Sequence, residues 1–383
     1  MRISSYPVVS ALLSHNPKTV LRHSLHTFNI SNQQRLYAQA LRNTTPGTNI
    51  KYQQSYPSTK QRVLITGCMG QIGVELIEAL AARYGKGSVV CSDVSTPTKD
   101  NLDQFAPFYF CDVNDRERLQ MIVDRENVTC IVHNAAFLSA SAEQNVAAAV
   151  RLNTIGLFNV LEIAKRNHLR VFVPSSIAAF GPTTPLESTP NTTIQRPTTV
   201  YGIGKVYAEL MGEYYALKHG VDYRSLRYPG ILSYKTKPGG GTTDYAVHMF
   251  YYALQGEHYE CYLQPDQKLP MMYMPDCIRG TMQFILDTKQ EQLKERTYNI
   301  AAYSFSPIQL EQMIKKFIPS FSVSYRPDFR QGIAESWPRI LEDDSARGDW
   351  GWGEEFNLEK TCRDMLVNLS KIIPNSVKLQ NID

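Results

Sequence analysis

Tyr201 and Lys205 stand four residues apart in the run YGIGK, and Ser176 closes the run PSS 25 residues earlier. A phenol, an ammonium group and a hydroxyl are the parts of a proton-transfer site. Residues i and i+4 share one face of a helix, so the phenol and the ammonium would point the same way. A phenol alone is a poor base at neutral pH. A nearby cation favours the phenolate, which can then take the proton of a substrate alcohol. A serine hydroxyl beside it can donate a hydrogen bond to the same oxygen as that oxygen becomes a carbonyl.

Such a helix needs a scaffold. From Arg62 onward, apolar runs alternate with helical patterns. RVLITG, SVVCSD, FYFCD, VTCIVHNAA, RVFVPSS and VDYRSLRYPG read as strands. QIGVELIEALAARYG, DRERLQMIVDREN, AEQNVAAAVRLNTIGLFNVLEIAKRNH and TTVYGIGKVYAELMGEYYALKHG read as the helices between them. Strands joined by helices of this length require crossovers, hence a parallel sheet covered on both faces. The fold class is α/β: a Rossmann doubly wound parallel sheet with a smaller C-terminal α/β substrate lobe. The expected divisions are a leader over 1–60, a dinucleotide-binding domain over 61–235, the smaller lobe over 236–370, with room for Rossmann elements to interleave, and a tail over 371–383.

ITGCMGQIG places Gly67, Gly70 and Gly73 between the first strand and the first helix. Glycines let the backbone approach a pyrophosphate, and the helix start at Gln71 and Ile72 offers free N–H groups. Asp93 ends the second strand 20 residues after Gly73. Its carboxylate suits the ribose hydroxyls of NAD and would repel the extra phosphate of NADP. Val94, Ser95 and Thr96 come next without an arginine, so the expected cofactor is NAD. Asp112 and Val113 would border the adenine. Asn134, Ala135 and Ala136 would let the backbone pass close to the dinucleotide. His133 reads as a packed histidine without chemistry. Gly202 and Gly204 cost about 1 kcal/mol each in helix propensity. Close approach to the cofactor or a neighbouring strand is the expected reason.

The net charge of +4 gives no reason to expect nucleic acid, and no apolar run approaches the length of a membrane span. The charge is uneven. The first acidic residue is Glu75, preceded by Arg2, Lys18, Arg22, Arg35, Arg42, Lys51, Lys60 and Arg62 in a segment rich in hydroxyl and amide side chains. An acid-free leader of this kind reads as a mitochondrial transit peptide, with the matrix as destination. The seven cysteines are scattered. No C-x-x-C, H-E-x-x-H or paired Cys/His spacing is present, so no metal site is expected and buried free thiols are.

The glycine motif, Asp112, HNAA, Asn153, PSS before a loop, YGIGK and RYPGI fall in this order over about 170 residues. They resemble the extended short-chain dehydrogenase/reductase family. The resemblance implies that Ser176, Tyr201 and Lys205 are catalytic, with Lys205 also holding the nicotinamide ribose. It adds Asn153, Tyr228, Pro229 and Ile231 to the cofactor site. Pro174 stands where a serine is common and Phe180 where a tyrosine is common.

PGGGTTDYA, residues 238–246, either offers backbone N–H groups and hydroxyls to a carboxylate or ammonium group or is a flexible connection. Trp337 either walls a pocket or belongs to a core. NAAFLSA, PSSIAAFGP, RYPGILSYKTKPGGGTTDYAV, YMPDCIRG and SWPRILEDDSARGDWGW are similar to one branch of the family, the short-chain-type L-threonine 3-dehydrogenases. That likeness implies metal-free oxidation of L-threonine with NAD to 2-amino-3-oxobutyrate. It implies substrate contacts at Ser139, Ser176, Tyr201, Gly241, Thr242, Thr243 and Trp337. It also implies a homodimer through the helices holding Leu152–Ile163 and Tyr201–Leu217, and coupling to 2-amino-3-ketobutyrate CoA ligase. Two rivals remain. A nucleotide-sugar epimerase or dehydratase would use arginines such as Arg326, Arg330 and Arg339 on a diphosphate. A non-catalytic dinucleotide sensor would need no tyrosine.

Overall fold

Alternate residues of the first strand belong to different cores. Val63 and Ile65 of β1 (Val63–Thr66) join one apolar cluster and Leu64 joins another. A strand apolar on both faces must be covered on both sides. A computed structural model, describing residues 61–98, 105 and 107–381, shows the arrangement. The leader expected over residues 1–60 lies outside the described residues.

After β1 come β2 (Val89–Asp93), β3 (Phe108–Phe110), β4 (Cys130–His133), β5 (Arg170–Ser176) and β6 (Asp222–Tyr228). Then come β7 (Gly230–Leu232), β8 (Tyr259–Cys261), β9 (Leu269–Tyr273), β10 (Thr297–Asn299), β11 (Tyr303–Phe305) and β12 (Val323–Tyr325). The main sheet has the order β10-β6-β5-β4-β1-β2-β3. All its pairings are parallel. The chain runs outward from β1 to β3, returns to the centre and runs outward the other way from β4. The order reverses between β1 and β4, where Thr66 is in register with His133. In open α/β sheets the crevice beyond the carboxyl ends at such a reversal receives the ligand. β10 comes from within 236–370, so the stretch read as a separate lobe lends a strand to this sheet.

Helix α1 (Gln71–Tyr84) covers one face with Leu76, Ile77 and Leu80. Helix α2 (Arg116–Glu126) covers the other with Leu119, Ile122 and Val123. Asp115 caps α2 by accepting from Arg118 N at 3.0 Å. The long helix expected after β4 is instead broken into α3 (Ser139–Gln144), α4 (Val146–Arg151) and α5 (Leu157–Asn167). Asn145 makes the first break. Its backbone leaves the helical region, at φ −140°, and its side chain accepts from Ala148 N at 3.3 Å, capping α4. A π-helical turn, Leu152–Gly156, joins α4 to α5. Such turns interrupt helices at functional places, and this one carries Asn153.

Helix α6 (Val200–His219) holds the YGIGK run. Thr199 caps it by accepting from Gly202 N at 3.1 Å, and Gly220 ends it in the left-handed region at φ +70°. Outside the main sheet lie the sheets β11-β9-β7 and β12-β8 with helix α7 (Tyr245–Gln255). A third apolar cluster gathers around Tyr245, Phe250, Tyr273, Leu310 and Trp337. All seven cysteines are buried and unbridged.

Candidate active site

The reversal between β1 and β4 opens into a cavity of about 410 Å³. Gly67, Gly70, Gln71, Ile72 and Gly73 line its floor. Gly67 has φ +64°, and a Cβ there would lie 2.6 Å from Ala135 N, so only glycine fits between the ends of β1 and β4. A Cβ on Gly73 would lie 2.6 Å from Cys68 O. Gly70, at the N-cap of α1, supplies no side-chain cap, so the first-turn N–H groups remain available at the cavity. Asn134 lines the same space, and both its amide atoms are buried without a partner.

Asp93 lies beside this loop rather than in the cavity wall. One carboxylate oxygen accepts from Met69 N at 3.0 Å and the other from Ser95 N at 2.9 Å. Each oxygen keeps a further lone pair for a hydroxyl. Asp112 is exposed and accepts from both the backbone and side-chain nitrogens of Asn114 at 2.9 Å. Val113 is buried against Gly156. Neither lines the cavity. Ala135 meets Gly67 through its backbone, while Ala136, Tyr228, Pro229 and Ile231 line the cavity.

Tyr201, Lys205 and Ser176 reach this cavity from α6 and the end of β5. Lys205 Nζ lies 5.3 Å from the Tyr201 ring centroid and donates to Pro174 O at 2.6 Å. Ser176 Oγ accepts from Ala178 N at 3.2 Å, which leaves its hydroxyl hydrogen free to donate. The glycines of YGIGK are explained by close approach, but not to the expected neighbours. A Cβ on Gly202 would collide with Ala178 O, in the turn after β5. A Cβ on Gly204 would lie 2.6 Å from the Asn153 side chain. Asn153 therefore seats α6 from behind rather than lining the cavity.

Two buried residues steady this corner. His133 shares a 2.9 Å hydrogen bond with Thr66, and burial together with the Lys205 charge lowers its pKa to about 3. It stays neutral and serves as packing, as its sequence context suggested. Glu209, one turn beyond Lys205, accepts from Arg227 at 2.9 and 2.8 Å and from Ser175, next to Ser176. It ties α6 to β5 and β6. The sequence signal was available: Glu209 continues the i, i+4 face of Tyr201 and Lys205.

The opposite wall comes from the chain beyond β7. Gly241, Thr242, Thr243, Asp244 and Trp337 line it. Ser139 Oγ is 3.2 Å from Thr242 Oγ1, a buried bridge between the segment after β4 and the glycine-rich loop. Asp244 accepts from Gly240 N at 2.9 Å and Gly241 N at 2.8 Å. Trp337 is both core and wall. Thr236, Lys237 and Asp244 also line the cavity and were missed, although they lie in or beside the glycine-rich run. Among the described residues, no three His, Cys, Asp or Glu side chains gather to hold a metal ion.

Residues 63–301 match the model of the NAD-dependent epimerase/dehydratase family. The chain belongs to that family. It is an extended short-chain dehydrogenase/reductase, as its motifs implied, and its cofactor is NAD. The glycine cradle, the uncapped start of α1, the unpartnered Asn134 amide and the spare lone pairs of Asp93 fit that dinucleotide. The chain is 48% identical over 308 residues to the mitochondrial L-threonine 3-dehydrogenase of Bos taurus, covering 80% of this chain and 82% of the bovine protein. The crystal structure of L-threonine dehydrogenase from Phytophthora infestans superposes with a TM-score of 0.79 at 50% identity, over 82% of this chain and all of that one. The holo form of an L-threonine dehydrogenase from Cupriavidus necator superposes with a TM-score of 0.78 at 48% identity, over 80% of this chain and 99% of that one.

Proposed function

We propose that this chain oxidises L-threonine at C3 to 2-amino-3-oxobutyrate, with NAD and without a metal. The observation that carries the reading is one cavity joining Ser176, Tyr201 and Lys205 to the hydroxyls of Thr242 and Thr243. NAD, when bound, would supply the acceptor for the hydride leaving C3. Tyr201 takes the proton of the C3 hydroxyl, Ser176 donates to that oxygen, and Lys205 sets its ammonium group 5.3 Å from the Tyr201 ring. Gly67, Gly70, Gln71, Ile72, Gly73 and Asn134 hold the dinucleotide, with Asp93 at its ribose. Ser139, Gly241, Thr242, Thr243 and Trp337 surround the amino acid.

The epimerase reading needs cationic groups for a nucleotide-sugar diphosphate. None of the three candidate arginines lines the cavity. Arg330 is paired with Asp328 and stacked on Tyr262, Arg339 is paired with Glu187, and Arg326 points to Glu260 from an exposed position. Absorbance at the NADH band decides between the readings. Turnover is expected with L-threonine, unchanged by a chelator and absent with UDP-sugars. Turnover of a UDP-sugar with none of threonine would replace this proposal.

The reading extends to assembly and place. Val146, Val150, Phe158, Ile203, Leu210 and Leu217 are all exposed on α4, α5 and α6. By length and composition Val146–Asn167 is long and apolar enough to cross a membrane. Its buried face packs on the sheet, and the apolar residues on its other face suit a helical contact with a second copy. We place the dimer there and the enzyme in the mitochondrial matrix, where its product passes to 2-amino-3-ketobutyrate CoA ligase.

A further inference from the structure

Glu75 is a buried carboxylate that the reaction does not use. It sits in α1, one turn past the glycine cradle, between the core residues of that helix. An apolar side chain would pack there without desolvating a charge. Burial pushes the Glu75 pKa up, against the opposing pull of Ser233 and Lys235. Ser233 Oγ donates to Glu75 Oε1 at 2.5 Å and accepts from Lys235 N at 3.1 Å. Lys235 Nζ lies 2.5 Å from Glu78 Oε2 and 4.0 Å from Glu75 Oε2. The contacts cross between the cofactor helix and the chain leaving β7.

Beyond Ser233 the chain forms a strap. Thr236, Lys237, Pro238, Gly239 and Gly241 line the cavity. The far end of the strap is held by Asp244 through Gly240 N and Gly241 N. Between the two anchors, Gly239 and Gly240 are exposed: a Cβ on Gly240, at φ +97°, would meet nothing within 4 Å, and one on Gly239 would meet only Leu138. The strap is therefore anchored at both ends, with open space around these glycines. One end is fixed to the helix whose start receives a diphosphate. Glu75 and Glu78 place negative charge on that helix, and Lys235 offsets it only while the strap is docked.

We propose that Glu75 is a positioning residue that couples strap 234–241 to the dinucleotide: with the Ser233–Lys235 clasp closed, cofactor seating and strap closure over the amino acid favour each other. This rests on the reading of the cavity as a site for NAD and an amino acid. The coupling is reciprocal, so each ligand tightens the other through the same contacts.

The test uses the full chain and two readouts. In the first, hydrogen exchange of the amides in 234–241 is measured with and without NADH alone. The wild type should show about tenfold slower exchange with NADH, and Glu75→Gln less than about twofold, with unchanged protection in β1 and β4. In the second, Glu75→Gln should raise KM for L-threonine about five- to tenfold at saturating NAD while kcat stays within about twofold. Lys235→Met should match Glu75→Gln in both readouts, and it decides the matter if Glu75→Gln does not fold. Equal NADH protection of the strap in wild type and variants overturns the proposal. So does a fall in kcat and melting temperature with KM unchanged, which is what a purely structural carboxylate would give. If the wild type leaves threonine untouched, the functional reading falls, and the exchange experiment still judges the clasp.

Discussion

The two walls of the cavity are built differently. The nucleotide wall uses short runs at the ends of adjacent strands: 67–73 after β1, 134–138 after β4 and 174–177 at the end of β5. Its contacts are backbone amides and glycines fixed by the register of a parallel sheet. The amino-acid wall uses 236–247 and Trp337, residues brought together only by the smaller lobe. Its contacts are hydroxyls, one indole and a strap anchored at its ends. A rigid wall positions the reacting groups, and an adjustable wall selects what is presented to them. Substitutions on the first should therefore damage rate or cofactor choice, and substitutions on the second should damage affinity for the amino acid.

The strongest test removes the base. Tyr201→Phe keeps the ring beside Lys205 and loses only the hydroxyl. It should lower kcat about 10³-fold while NADH binding, read by fluorescence titration, stays near wild type. Near-wild-type turnover would mean that the proton leaves by another route and that Tyr201 is not the base.

A smaller effect is expected at the nucleotide end. Asp93→Ser removes a carboxylate that accepts from Met69 N and has lone pairs to spare. Losing a charge-assisted contact of this kind is worth about 1.5–3 kcal/mol. The ratio of kcat/KM for NAD over NADP should fall about 10- to 100-fold, with KM for threonine little changed. An unchanged ratio would show that Asp93 serves only the turn, and the nucleotide wall would lose its specificity element.

On the amino-acid wall, Thr242→Val keeps the shape and removes the hydroxyl bridged to Ser139. One net hydrogen bond is worth about 1 kcal/mol, so KM for threonine should rise about fivefold with kcat nearly constant. A loss in kcat comparable to that of Tyr201→Phe would erase the distinction between the walls.

The same contrast explains how much could be read from the chain. Gly67, Gly73 and Gly202 were legible because backbone contact leaves no alternative to glycine, and Tyr201 with Lys205 because helical spacing fixes their common face. The parallel sheet was legible from strands without alternation separated by helices. The break at Asn145 was not legible, because an asparagine inside an otherwise apolar periodic run reads as a tolerated helix residue. The loan of β10 to the main sheet was legible only as a general interleaving of the two stretches, since three residues carry too little pattern to reveal their partner. Glu75 was hidden for a related reason. A glutamate on an amphipathic helix reads as solvated, and only the position of Ser233, far along the chain, shows that it is buried. Sheet-borne positions have local signatures, whereas the strap and its clasp depend on long-range packing.

The remaining expected effect leaves turnover aside and concerns stability, and it asks whether the rigid wall is as dry as its contacts imply. His133 is buried beside Lys205 at the end of β4, with its pKa lowered to about 3 by burial and by that charge. In the unfolded chain a histidine titrates near 6.5. Above that pH both states are neutral at this residue and its contribution to stability is complete. As pH falls below 6.5 the unfolded chain binds a proton that the folded chain refuses, so stability falls by up to about 1.4 kcal/mol per pH unit until the folded pKa is reached. Between pH 7 and 5 the loss should be about 2 kcal/mol. His133→Gln can keep a hydrogen bond to Thr66 and does not titrate. Urea unfolding of wild type and variant at pH 7, 6 and 5 should give curves that converge as pH falls, since the variant lacks this penalty. The difference between the two proteins, rather than either slope, isolates His133. Parallel curves would mean that water reaches the ring and shares the charge of Lys205. The nucleotide wall would then be no more rigid or dry than the strap facing it.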